Sequence, residues 1–78
     1  MKSKIDLYVI QKVKEKRLEM NLSQADLAHE LGMSVGFIGK VESAQYPSHY
    51  NIKHLNLLAR ILQCSPQDFL PKKPLQEK

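Results

Sequence analysis

The residues that could carry out catalysis are few in this chain, and their spacing does not suit it. His29 and Glu30 are adjacent, but no second histidine follows at the spacing with which a zinc protease binds its metal. His49 and His54 are five positions apart, which does not place two imidazoles on one helical face. The sequence also lacks a glycine loop for phosphates and a nucleophile with a base partner. We therefore expect no enzyme, no metal site and no cofactor.

The cysteine content indicates a reducing environment. Cys64 is the only cysteine among 78 residues, so no disulfide can form within the chain. It follows an apolar helix end, where a small buried side chain is a more ordinary role than a nucleophile. The N-terminus lacks the apolar core of a signal peptide, and no apolar run is long enough to cross a bilayer. We expect a cytoplasmic, non-membrane protein with one domain.

The charge balance is compatible with a polyanionic partner. The formal net charge is +4, and basic residues are concentrated in the first segment: Lys2, Lys4, Lys12, Lys14, Lys16 and Arg17. Binding to nucleic acid would use such a charge. A solvated helix face with charges of both signs explains the same pattern, so charge alone does not decide between them.

Helix start and stop signals predict an all-α fold. Ser23 and Asp26 have the spacing of a capping box, Gly32 is a left-handed helix stop, and Ser34 can cap the helix that follows. Ser65 followed by proline is a second strong helix start. Strand signals are weak. The predicted helices cover residues 6–20, 23–31, 35–43, 52–62 and 66–70, and residues 71–78 are expected to form a flexible tail.

The third predicted helix contains an unusual concentration of glycine. All three glycines lie within GMSVGFIGKVE, residues 32–42, although glycine weakens a helix interior. At 100° per residue, Gly36 and Gly39 share a face with Lys40 and Ser43, opposite Ile38. A bare face of this kind would let another surface approach closely, with the lysine ready for a phosphate or a guanine edge. Packing against a protein helix, or simple tolerance of the glycines, remain alternatives.

Two charged residues fall at positions that the periodicity assigns to the core. Arg17 lies on the inner face of the first predicted helix, and Glu42 lies on the inner face of the third. Because an unpaired buried charge is costly, the simplest solution is that the two side chains pair. We expect an ion pair that holds the first helix to the third.

The spacing of residues 22–42, LSQxxLAxxxGxSxxxIxxxE, resembles the lambda-repressor-like helix-turn-helix domains of the Cro and Xre kind. The resemblance continues in LxxLAxxL, residues 55–62, and SPxDFL, residues 65–70. It implies a five-helix bundle over residues 1–70, with a helix-turn-helix unit at 23–43. Members of the family usually bind operator DNA as symmetric dimers, so double-stranded DNA is the implied partner.

The resemblance also implies roles for particular residues. Gln24 matches a contact to the DNA backbone, and Arg17 and Glu42 match the family's structural ion pair. Positions that face bases or phosphates are matched by the recognition-helix residues Ser34, Val35, Gly36, Phe37 and Lys40 and by the loop residues Ser43, Gln45 and Tyr46.

The departures from the family pattern bear on specificity. The family often has polar side chains where this chain has Val35 and Gly36, and neither residue can form bidentate hydrogen bonds with a base. Ala44 replaces the usual glycine after the recognition helix, and the loop that leads to Asn51 is longer than typical. Phe37 is open to two interpretations, a wedge against DNA or a protein contact, or half-buried packing against the second predicted helix or the loop after the third.

We therefore expect a sequence-preferring DNA-binding transcriptional regulator, either a small Xre/Cro-type repressor or an antitoxin-like protein. The alternative is a protein-interaction module that retained the fold. Leu57 and Ile61, or Ile5 and Leu7 in the N-terminal segment, could form the seam of a homodimer, although ordinary partial burial would explain them equally. Nothing in the sequence indicates a small-molecule ligand.

Overall fold

The computed structural model describes residues 2–77, and all regular structure within this range is helical. It contains α1 (Lys4–Glu19), α2 (Gln24–Leu31), α3 (Val35–Glu42), α4 (Ile52–Ile61) and a 3₁₀ helix (Pro66–Phe69). The predicted all-α fold is confirmed. The fifth predicted helix is a 3₁₀ turn because four residues are too few to establish the hydrogen-bond ladder of an α-helix.

Side-chain caps define most of the helix starts. Ser3 accepts a hydrogen bond from the backbone of Asp6, whose carboxylate accepts one from Ser3, so α1 begins at Lys4 rather than at residue 6. Ser23 and Asp26 form the same reciprocal box at α2. These boxes satisfy backbone N–H groups that a helix start leaves without partners.

Gly32 forms the tight turn between α2 and α3. Its backbone is left-handed, with φ of 74° and ψ of 25°, and its N–H donates to the carbonyls of Ala28 and His29. The N–H of Met33 donates to Ala28 at 2.9 Å. Two helices joined this closely form a compact helix-turn-helix unit.

The core combines side chains from all five elements. Phe69 of the 3₁₀ helix is fully buried and is one of the largest buried side chains of the described chain. The remaining core side chains are Val9, Ile10, Val13, Leu27, Ala28, Leu31, Ile38, Val41, Tyr50, Leu58, Ala59 and Leu62. Cys64 packs at the edge of this core, and partial burial raises the pKa of its thiol. Burial therefore disfavours the reactive thiolate form of Cys64.

The C-terminal segment lies against the start of α1. The carboxylate of Glu77 accepts hydrogen bonds from the backbone N–H of Lys4 at 2.9 Å and of Ile5 at 3.1 Å. Leu75 is partly buried and lines a groove with Leu7 and Tyr8. The flexibility expected for this tail stays a prediction.

No helix within residues 2–77 has the length and apolar character needed to cross a membrane. In the same range, no cluster of three or more His, Cys, Asp or Glu side chains is placed to hold a metal ion.

Candidate nucleic-acid interface

The outer face of α3 is open to solvent at its first turn. Val35 is 66% exposed, and a Cβ placed on Gly36 would have no neighbouring atom within 4 Å. Lys40, one turn further along, is also exposed, and its ammonium lies 5.7 Å from the centre of the Tyr46 ring. This cation–π contact connects α3 with the loop that follows it.

Gly39 has a different environment from Gly36. A Cβ at Gly39 would lie 3.4 Å from Oε1 of Gln24, at the start of α2. The Nε2 group of Gln24 donates to Oε1 of Glu42 at 2.9 Å, which holds the amide across the two helices. Gln24 therefore lies in ordinary contact distance of Gly39, whereas within α3 the backbone at Gly36 faces open space.

Arg17 and Glu42 form a bidentate ion pair. The Arg17 Nε donates to Oε2 of Glu42 at 3.0 Å, and its Nη2 donates to Oε1 at 2.9 Å. The Nη1 group donates to the carbonyl of Leu22 at 2.8 Å. The two charged side chains are only 7% and 4% exposed. The pair thus joins α1, the entry to α2 and the last turn of α3.

Phe37 packs inside the domain. Its ring is half-buried, with its centre 5.3 Å from that of His54 and 6.1 Å from that of Tyr50. Of the two interpretations of Phe37, the structure matches half-buried packing, with the loop residue Tyr50 as one neighbour and His54 of α4 as a neighbour that the sequence did not predict. Phe37 therefore fixes the distance between α3 and the start of α4 rather than extending freely from the surface.

The two rings that contact Phe37, those of Tyr50 and His54, have shifted pKa values. Burial, and next the charge of Glu42, raise the pKa of Tyr50, whose hydroxyl is buried without a hydrogen-bond partner among the described residues. Burial, and next the neighbouring His49, lower the pKa of His54. Nδ1 of His54 accepts the N–H of Asn51 at 3.1 Å, which caps α4 and requires the neutral imidazole.

The loop after α3 presents the remaining predicted residues. Ser43 Oγ accepts the N–H of Gln45 at 3.2 Å, and Gln45 and Tyr46 are exposed. Ser34 is exposed at the start of α3, where its side chain makes no capping hydrogen bond. Its hydroxyl is thus available to an external acceptor or donor.

Lys2 is a contact residue that the sequence did not single out. Its ammonium donates to the carbonyls of Val41 and Ser43 at the end of α3. In the sequence it counts only as one of several basic residues near the N-terminus. Ala44 gives no signal for this contact, because α1 and α4 also end without glycine, with Asn21 and Gln63 in the left-handed conformation.

The tight turn, the exposed second helix and the buried ion pair define a helix-turn-helix domain. A family model described as "Helix-turn-helix" matches residues 13–69, and the chain belongs to this family. The predicted Xre and lambda-repressor-like resemblance is confirmed. The family consists of regulatory DNA-binding domains, not enzymes. A search of curated proteins found no match.

Solved structures of the regulator SinR share the fold. One shows SinR, described as the master regulator for biofilm formation, in complex with DNA, with 21% identity and a TM-score of 0.67. That alignment covers 78% of this chain and 95% of the SinR chain. Another is a complex of SinR with SinI, with 22% identity and a TM-score of 0.68, covering 82% of this chain and 61% of that chain.

Replacement of Glu42 tests the ion pair. Glu42→Gln leaves the Arg17 guanidinium buried without a counter-charge, so we expect a loss of about 3 kcal/mol in the free energy of unfolding. Urea denaturation measures it. Glu15→Gln at the exposed Lys12–Glu15 pair is the matched control and should cost less than about 0.5 kcal/mol.

The double variant Arg17→Met/Glu42→Leu separates pairing from packing. With both charges removed, it should lose less stability than Glu42→Gln alone, because no uncompensated charge remains. If Glu42→Gln proved as stable as the Glu15→Gln control, the structural role of the ion pair would be contradicted.

Proposed function

We propose that this protein is a sequence-preferring, DNA-binding transcriptional regulator that places α3 in the major groove. It would act as a small Xre/Cro-type repressor or an antitoxin-like protein. The observation that carries the proposal is the outer face of α3, where the backbone at Gly36 is uncovered and the Lys40 ammonium is exposed. Membership of the helix-turn-helix family and the fold shared with DNA-bound SinR support the same assignment.

The side chains divide into two kinds of contact. Val35, exposed at the first turn of α3, is suited to a thymine methyl group, whereas Lys40 can reach a guanine edge or a phosphate. Gln24, Ser34, Ser43, Gln45 and Tyr46 are proposed as backbone contacts that set the position of the domain. Phe37 acts indirectly, because its ring is engaged within the domain.

With so few base-reading groups, sequence preference would depend partly on DNA shape. Gly36 presents no side chain at all, so the helix backbone itself can approach the base edges or the sugar groups closely. Close approach is sensitive to groove width and to local deformability of the duplex. The expected behaviour is a moderate preference for an operator over random DNA.

A homodimer is the proposed binding form. Leu57 and Ile61 of α4 line a groove with Leu31, and Glu30 and Arg60 flank it with opposite charges. A twofold axis between Glu30 and Arg60 would pair each acidic residue with the basic residue of the other copy. Two domains related in this way would read half-sites about 34 Å apart along the duplex.

The proposed function is tested by titrating labelled duplex DNA at several salt concentrations. Binding through phosphates should weaken steeply, with the logarithm of affinity falling by several units per tenfold rise in salt. Selection from a random-sequence pool then shows whether a preferred operator exists. Absence of binding at low salt would instead favour the protein-interaction alternative.

Gly36→Ala tests whether glycine at position 36 is needed for DNA binding or for folding. The added methyl meets open space in the free protein, so we expect a gain of about 0.5–1 kcal/mol in stability. If DNA approaches this backbone closely, the same methyl should weaken binding by about tenfold.

Asn56→Ala is the matched control for Gly36→Ala. It changes an exposed residue of α4 to alanine and raises helix propensity without altering α3. It should leave DNA affinity unchanged. Equal DNA affinity of the Gly36→Ala and Asn56→Ala variants would show that α3 does not approach DNA at this position.

Charge reversal tests the homodimer. Arg60→Glu places two acidic side chains, Glu30 and the new Glu, in the groove. Sedimentation should then show a shift from dimer to monomer. The double variant Glu30→Arg/Arg60→Glu restores opposite charges and should recover the dimer. Lys53→Glu, elsewhere on α4, is the control for the change in net charge. A wild-type protein that sediments as a monomer when bound to DNA would rule out the dimer.

A further inference from the structure

The recognition helix α3 ends without the feature that ends α2. Gly32 closes α2 in a left-handed conformation, and its N–H bonds two carbonyls of the last turn. At the end of α3, Ser43 has φ of −93° and ψ of 136°, which is extended backbone, and its N–H reaches only the carbonyl of Lys40 at 3.2 Å. Carbonyls of the last turn of α3 therefore need partners from elsewhere.

Lys2 supplies those partners. Its Nζ contacts the carbonyl of Val41, the carbonyl of Ser43 at 2.6 Å and the carbonyl of Lys40 at 3.4 Å. A lysine ammonium has three donors, so three carbonyls at the helix end occupy them all. While Lys2 is in this position, none of its donors is free for a phosphate.

The position of Lys2 is well determined by its neighbours. Ser3, the next residue, forms the capping box of α1, and Glu77 occupies the next two backbone donors. Near the other end of α1, Arg17 binds Glu42. The last turn of α3 is thus attached to both ends of α1, by an ammonium on its carbonyls and by a guanidinium on its carboxylate.

The ammonium also changes the electrostatics of the surface proposed to meet DNA. The carbonyl end of a helix carries about half a negative charge, which would repel phosphates near the loop that begins at Ser43. A cation bound to these carbonyls removes that repulsion and limits fraying of the last turn. Lys40 and Ser43 both depend on the position of this turn.

We infer that Lys2 is a positioning residue for DNA binding, which caps the C-terminal end of α3 in place of the left-handed residue that follows each of the other α-helices. This inference rests on the proposed function. It assigns to Lys2 a role distinct from a direct phosphate contact, because the helix carbonyls use its donors.

The test compares Lys2→Met, Lys2→Arg and the control Lys72→Met. Lys72 is an exposed lysine of the C-terminal segment, so its replacement removes the same charge without removing the hydrogen bonds of Lys2 to α3. Affinity for duplex DNA is measured at several salt concentrations. Amide hydrogen exchange of residues 41–43 in the free protein reports directly on the end of α3.

Lys2→Met should weaken DNA binding about tenfold more than Lys72→Met, because it uncaps the helix as well as removing a charge. Exchange of the amides at 41–43 should accelerate in Lys2→Met alone. The dependence of affinity on salt should match that of Lys72→Met, and Lys2→Arg should recover most of the affinity.

Three outcomes would overturn the inference. If Lys2→Met and Lys72→Met bound DNA with equal affinity, Lys2 would contribute to binding only through its charge, as other surface lysines do. A salt dependence flattened by about one unit in Lys2→Met relative to Lys72→Met, with unchanged amide exchange, would identify a phosphate contact instead. If the wild-type protein fails to bind DNA at low salt, the proposed function fails together with this inference. The amide exchange data would then show only whether Lys2 stabilises the end of α3.

Discussion

The ion pair between Arg17 and Glu42 is the interaction on which the arrangement of the helices depends. Removing two charges from water is expensive, and the cost is offset only when their hydrogen bonds are made in good geometry. Here the guanidinium meets both carboxylate oxygens and the Leu22 carbonyl, and Gln24 adds a further donor to the carboxylate. Few relative positions of the first three helices satisfy all of these contacts together.

This constraint determines which side of α3 faces outward. Glu42 and the buried side chains of Ile38 and Val41 hold one face of the helix against the core, so the opposite face is presented to solvent. Within that outer face, the two glycines differ in their surroundings. A Cβ at Gly39 would touch Oε1 of Gln24 at an ordinary contact distance, and one at Gly36 would meet open space, so packing within the domain requires glycine at neither position. Contact with another molecule would give both glycines a role that this packing does not.

The sequence predicts those parts of the structure that are set by local interactions. Capping boxes, the left-handed stop at Gly32 and the proline at the start of the 3₁₀ helix depend on residues within one turn of each other, and the structure contains them. Arg17 and Glu42 are far apart in sequence, yet burial of charge is so unfavourable that pairing was the simplest expectation. α1 begins at Lys4, earlier than the apolar periodicity predicts, because the Ser3–Asp6 capping box starts the helix before its first buried residue.

Contacts between distant segments could not be predicted in the same way. Phe37 meets rings from a loop and from α4, and no periodicity within α3 specifies where those rings lie. Lys2 and Glu77 likewise reach helix ends that are distant in sequence. A charged side chain near a terminus looks the same in the sequence whether it is solvated or bound to backbone groups.

A short helix that keeps a bare outer face has little stability of its own. Each interior glycine weakens a helix by roughly 0.5–1 kcal/mol relative to alanine, and eight residues are marginal for a helix in water. The order of α3 must therefore come from tertiary contacts, which here act mainly on its inner face and its last turn. Stabilisation from those sides leaves Gly36, Val35 and Lys40 on the outer face without a structural task in the core. The geometry that would let α3 enter a DNA groove is thus maintained by α1, α2 and the core, not by α3 itself.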